Sequence, residues 1–153
     1  MRLGIIEHID CAHFLPGHSK CGQIHGHTYE VEIVIEGESS GGMVVDFADL
    51  KSQARAVLRQ YDHRNWNDFL EFPSVENICD LLARQLRGRL VFPFTIRVWE
   101  GHGKWAEMDA RPQGDPSRRR SPLPAPPARG SRASGPGSRA RASRTPRSAR
   151  RSA

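Results

Sequence analysis

No stretch of this sequence approaches ~20 consecutive apolar residues, which excludes a membrane-spanning helix. Cysteine is scarce and odd in number: three residues in 153, without the paired spacings of a disulfide scaffold. That usage suits a reducing compartment where thiols stay free. The opening "MRLGIIEHIDCAHFL" lacks a basic segment followed by ~7 to 15 apolar residues, so no signal peptide is expected and a cytoplasmic location is. Between Arg111 and Ala153 there is no Lys, Ile, Val, Phe, Trp, Tyr or Met; beside twelve Arg and one Asp, Pro, Ser, Gly and Ala supply nearly all the rest. Such a stretch cannot bury a core, and a disordered tail over residues 111–153 is expected beside a folded domain over residues 1–110.

The tail carries a formal charge of +11 against +6 for the whole chain, leaving the first 110 residues at −5. The basic balance therefore belongs to the tail alone. Arginines could hold RNA or DNA by neutralising phosphates, but no aromatic is interleaved for base stacking, so a solvated extension is the simpler expectation. The Arg/Pro/Ala/Ser/Gly bias without Lys also fits translation of a shifted reading frame in GC-rich DNA.

What the first 110 residues contain is alternation and amphipathic helix. Apolar and polar residues partly alternate from Arg2 to Leu15, and in "HTYEVEIVIEGE" Tyr29, Val31, Ile33 and Ile35 share one face. Two antiparallel strands follow, joined by a Pro- and Gly-bearing loop that includes Cys21. Asp46 or Asp49 caps a helix with Leu50, Ala54, Val57 and Leu58 on its buried side, ending near Tyr61. Ser74 caps a second helix, with Glu76 in its first turn, a buried stripe of Ile78, Leu81, Leu82 and Leu86, and Gly88 as its stop. "FTIRVWE", "GHG" and "KWAEMDA" read as a hairpin. The expected fold is α+β: a four-stranded antiparallel sheet with two helices on one face, in the order strand-strand-helix-helix-strand-strand.

Chemistry-bearing residues cluster in "CGQIHGHTY". His25 and His27 lie two apart at the head of a strand, so both imidazoles take one face, with Gly26 between them leaving room for close approach. His13, near the end of the preceding strand, would return opposite them. Three neutral imidazoles suit Zn²⁺ and leave its fourth position open. Cys21 would close that site as a fourth ligand, serve as a thiolate base or nucleophile, or be a loop thiol without a role. Cys11 shares a face with His13 and is read as a packed residue. His8, His18 and His102 carry no assigned role. In "YDHRNWND", Asp62 stands directly before His63; a carboxylate on one ring nitrogen would fix the tautomer for proton transfer at the other. Glu100, ending "TIRVWE", could be a solvated strand terminus or grip a guanidine-like edge by two parallel hydrogen bonds.

The motifs "DCAHFL", "CGQIHGHTYEVEI", "GMVVDFADLK", "YDH", "PSVEN" and "VWE", in this order over residues 3–109, resemble the 6-pyruvoyltetrahydropterin synthase family. Within it they are most similar to the 6-carboxy-5,6,7,8-tetrahydropterin synthases of the queuosine pathway. The resemblance implies that His13, His25 and His27 bind zinc, that Cys21 is the catalytic thiol, that Asp62 and His63 form a second proton-transfer pair, and that Glu100 anchors a pterin ring. It implies a zinc-dependent carbon-carbon lyase acting on 7,8-dihydroneopterin triphosphate, in a tunnelling fold whose subunits join by sheet edges into barrels, two trimers making a hexamer, with pockets between subunits. The competing readings are a pyruvoyl-forming synthase, which eliminates triphosphate without cleaving the side chain, and a nucleic-acid-binding protein acting through its tail. The three-residue gap between Cys21 and His25 resembles the carboxy branch, and Cys21 argues against an aldolase-like branch that has Glu there. Tyr61 and Trp66 depart from the usual Leu, "FPS" from "NPT", and Gly101 from Thr.

Overall fold

The computed structural model describes residues 1–114. Five strands and two helices follow one another as β1 (Arg2–His13), β2 (His25–Glu36), α1 (Phe47–Leu58), β3 (Arg64–Asn65), α2 (Val75–Leu86), β4 (Phe94–Glu100) and β5 (Trp105–Ala110). A short 3-10 turn, Trp66–Asp68, follows β3. The sheet order is β3-β1-β2-β4-β5. Four strands pair antiparallel as the alternation required, but the sheet is mixed rather than purely antiparallel. Arg64 and Asn65 add a fifth strand, parallel to Cys11 and Ala12. Two residues are too few to show a period, so this strand had no sequence pattern to announce it.

Tyr29, Val31, Ile33 and Ile35 of β2 and Ile96 and Val98 of β4 are fully buried beneath the helices. Leu50, Ala54, Val57 and Leu58 of α1 and Ile78, Cys79, Leu82, Ala83 and Leu86 of α2 face them. Leu81, expected in that stripe, is only partly buried and packs at the margin of the core. Asp46 caps α1 by accepting from the Ala48 N–H at 2.7 Å, and Ser74 Oγ accepts from Asn77 N–H at 3.4 Å at the start of α2. Arg87, not Gly88, closes α2. The helix α1 ends at Leu58, and the turn beyond it carries Tyr61 and Asp62 back toward β1.

Register puts the chemistry at one end of the sheet. His13 pairs directly with His25, and Cys11 with His27. Both imidazoles of β2 and that of β1 therefore take the helix-facing side, just past the apolar core. Space does not require the glycine between the two β2 histidines, contrary to expectation: a Cβ on Gly26 would meet only the Cys11 carbonyl, at an ordinary 3.6 Å.

Candidate metal and proton-transfer site

Both Nδ1 atoms of the directly paired histidines face backbone carbonyls: His13 on Pro73 O at 2.9 Å and His25 on Gln23 O at 2.8 Å. A carbonyl can only accept, so each Nδ1 carries a proton and Nε2 is the nitrogen left to ligate. Those two Nε2 atoms stand 3.2 Å apart. The His27 Nε2 is buried without a hydrogen-bond partner, and the Glu100 Oε1 lies 3.1 Å from His13 Nε2 and 3.7 Å from His27 Nε2. Lone pairs converging at such distances repel unless a cation sits among them. The ligand atoms of His13, His25 and His27 lie within 4.8 Å of one another. An all-imidazole set, with the second nitrogens of His13 and His25 committed to carbonyls, fits Zn²⁺. Burial pushes the His27 pKa below its ordinary value; the Glu100 carboxylate opposes this, and the other two imidazoles add to the depression. The neutral form this favours is the form that ligates.

Glu100 pairs with Tyr29 across β2 and β4, which aims its side chain at the imidazoles, while its Oε2 meets Lys104 Nζ at 3.2 Å. It is not a solvated strand terminus. Cys21, half-buried in the β1–β2 loop, is a free thiol and supplies no atom to the three-imidazole group. The reading in which it closes the metal site has no support from this geometry.

Asp62 and His63 form a second group with Asp10. Adjacent residues meet here because His63 adopts a left-handed φ of 59°, which turns its Nδ1 to within 3.1 Å of Asp62 Oδ1. Asp10 of β1 holds the pair from both sides: its N–H donates to Asp62 Oδ1 at 3.0 Å, and its carbonyl accepts the His63 N–H at 2.7 Å. The hydrogen bond from Asp10 holds the Asp62 pKa below the usual carboxylate range, with the His63 contact adding to the effect. Asp10 Oδ1 in turn accepts from Thr28 Oγ1, the neighbour of His27. Asp10, Ala12, His27, Thr28, His63 and Asn65 line an open groove.

Sequence reasoning missed these supports. Asn67 grips Phe14, the residue after His13, from both sides, accepting from Phe14 N–H at 2.9 Å and donating to Phe14 O at 3.0 Å. Its only sequence signal was its place beside the Asp-His pair. Cys11 is the packed residue expected: its Sγ donates to Tyr61 O at 3.2 Å, and burial pushes its pKa up to about 12. Tyr61 stacks on fully buried Trp66 at 4.9 Å, and Trp66 meets Tyr29 edge-on at 5.9 Å, so the two departures from Leu form one aromatic layer under the imidazoles. Of the histidines without assigned roles, His8 faces Glu30 at 3.3 Å and His18 bonds within its own loop.

Two helices on a mixed sheet, with three imidazoles that could hold a metal ion at the end of its paired first strands, define an α+β protein with a candidate metal site. The chain belongs to the 6-pyruvoyl tetrahydropterin synthase family, whose sequence model matches residues 3–111. An Archaeoglobus fulgidus protein provisionally named as a 6-carboxy-5,6,7,8-tetrahydropterin synthase is 40% identical over 109 residues, 71% of this chain and 95% of that protein. A Pyrococcus furiosus dihydroneopterin monophosphate aldolase is 34% identical over 90 residues, 57% of this chain and 79% of that protein. The structure of Caenorhabditis elegans 6-pyruvoyl tetrahydropterin synthase superposes with a TM-score of 0.64 at 22% identity, covering 72% of this chain and 95% of that one, a likeness of fold. Family and relatives' names support an enzyme of pterin metabolism. No helix among the described residues is long and apolar enough to cross a membrane.

Proposed function

We propose that this protein is a zinc-dependent 6-carboxy-5,6,7,8-tetrahydropterin synthase of queuosine biosynthesis, converting 7,8-dihydroneopterin triphosphate and water to the carboxypterin, acetaldehyde and triphosphate. The observation that carries this is the convergence of three imidazole Nε2 atoms beside the Glu100 carboxylate, the His27 one buried without a partner. His13, His25 and His27 would hold the metal. Bound zinc would acidify a substrate hydroxyl and stabilise charge developing on the side chain. Glu100 would accept the 2-amino and N3 hydrogens of the pterin, selecting that ring over heterocycles lacking paired donors. Its present contacts lie beside the metal-binding group, so ring and side chain would be held within one short reach.

Cys21 would move a proton on one side of the substrate side chain. On the other, His63 would donate through Nδ1 to Asp62 and use Nε2 as acid or base. Because the three-imidazole and Asp-His groups are separate within one chain, we read the working pocket as shared between copies in a homo-oligomeric barrel, which would also cover the edges of β1 and β5. Residues 1–110 form the catalytic domain in this reading, which places the enzyme in the cytoplasm. The tail beyond residue 114, with any nucleic-acid role, lies outside the described residues.

The test is incubation of zinc-loaded protein with dihydroneopterin triphosphate and mass analysis of products. Carboxypterin with equimolar acetaldehyde supports the reading. A 6-pyruvoyl product without acetaldehyde would make the protein a pyruvoyl-forming synthase, and glycolaldehyde release from dihydroneopterin would move it to the aldolase branch.

A further inference from the structure

The loop that carries Cys21 is closed upon itself. Leu15 N–H donates to Cys21 O at 2.8 Å, His18 N–H donates to Leu15 O at 3.0 Å, and Cys21 N–H donates to His18 Nδ1 at 3.0 Å. Gly22 packs so tightly that a Cβ there would lie 2.5 Å from the His18 carbonyl oxygen. The base of the loop is tied down as well, since Asn67 grips both backbone polar groups of Phe14, one in each of its flanking peptides.

These bonds have a specific consequence at Cys21. Peptide units are planar, so a residue's orientation follows from the two peptide planes that meet at its Cα. The plane before Cys21 is held through its N–H by the His18 ring; the plane after it is held through its carbonyl by Leu15. With both planes fixed, the Cα–Cβ direction is fixed, and only the side-chain torsion remains to place the sulfur.

We propose that His18 is a positioning residue for the Cys21 thiol: its imidazole acts as an acceptor on the N–H three residues ahead and so aims the sulfur. Asn and Asp make this contact at helix N-caps and in local turns, through an oxygen the same number of bonds from the backbone as Nδ1. His18 therefore accepts as a neutral ring, with its proton on Nε2. This role rests on the reading of Cys21 as the catalytic thiol.

The full-length, zinc-loaded protein and its His18→Ala, His18→Asn and Cys21→Ala variants are compared for kcat, KM and zinc content with dihydroneopterin triphosphate. His18→Ala lowers kcat about 10- to 100-fold, the effect of misplacing a reacting group by about an ångström, with KM and zinc content near wild type. His18→Asn restores kcat to within a few-fold, because its oxygen replaces Nδ1. Amide exchange at Cys21 is faster in His18→Ala and slow again in His18→Asn. Wild-type kcat in His18→Ala beside an inactive Cys21→Ala would overturn the positioning role alone. Failure of His18→Asn to restore kcat while restoring amide protection would also overturn it, since the imidazole would then have a chemical part. An active Cys21→Ala would instead overturn the thiol reading on which the role rests.

Discussion

At the scale of single residues, burial divides three thiols into two inert ones and one available one. Cys11 and Cys79 lie in the core, and desolvation pushes their pKa values up to about 12 and about 11. Alkylation needs the thiolate, so neither should react at pH 8 while the fold persists. Iodoacetamide should add once to the native protein, at Cys21, and three times after denaturation, as counted by mass spectrometry with peptide mapping; a native adduct at Cys11 would contradict the burial. Asp62 makes a pH prediction of the opposite sign. Its folded pKa lies below the ordinary carboxylate value of 3.8, so the stability it contributes is present above that value and disappears as pH falls through the lower folded pKa. Asp62→Asn should therefore flatten the acid limb of stability below about pH 4, seen by urea unfolding across pH 2.5–7. The same variant should lose turnover at neutral pH, by ~10²- to 10⁴-fold if His63 is the acid-base group that Asp62 orients. Zinc content should not change, because neither residue belongs to the three-imidazole group.

At the scale of elements, the start of α2 does two things at once. Ser74 caps the helix, and the carbonyl just before it, on Pro73, orients His13. Asn77 reinforces the turn by donating to Phe72 O at 2.8 Å. Ser74→Ala should cost about 1 kcal/mol of stability, as lost caps do. If the Pro73 carbonyl drifts with the cap, zinc affinity should fall as well, by up to the roughly 10- to 100-fold typical of partners behind a metal ligand. Chelator competition measures this independently of turnover; unchanged affinity with lowered stability would confine Ser74 to capping. This coupling also shows what was legible in advance and what was not. A period of two and an antiparallel return were enough to bring His13, His25 and His27 to one face, because strand geometry is local and register follows from a single loop. The helix caps at Asp46 and Ser74 were legible for the same reason. The Pro73 carbonyl, the Asn67 clamp and the Asp10 grip on Asp62 and His63 join residues about 50 to 60 positions apart through backbone groups that every residue possesses, so no side-chain pattern marks them. The His63 left-handed φ was equally silent, since positive φ is uncommon for any residue but glycine and the histidine itself does not announce it.

At the scale of the whole molecule, the proposed function asks two separate groups on one chain to serve one small substrate. The three imidazoles occupy the helix-facing side at the end of β1 and β2, whereas Asp62 and His63 are gripped by Asp10 at the β1 edge, beside the two-residue β3. Beyond Cys11 and Ala12 the outer edge of β1 has no strand beside it among the described residues, and β5 is the other end of the sheet. Unpaired edges of this length seek another strand, and a second copy offers one. In the shared-pocket reading, copies join there so that the Asp62–His63 pair of one subunit serves the three-imidazole group of its neighbour, and each pocket draws on two chains. Complementation decides this. Cys21→Ala and His63→Ala proteins, each inactive alone, are mixed, dissociated and reassembled. Shared pockets predict that random association returns about a quarter of sites with both residues intact, and activity in proportion. If each pocket instead takes both residues from one chain, every site in the mixture carries one of the two lesions and no activity returns. The separation of the two groups would then have to close within a single subunit when substrate binds.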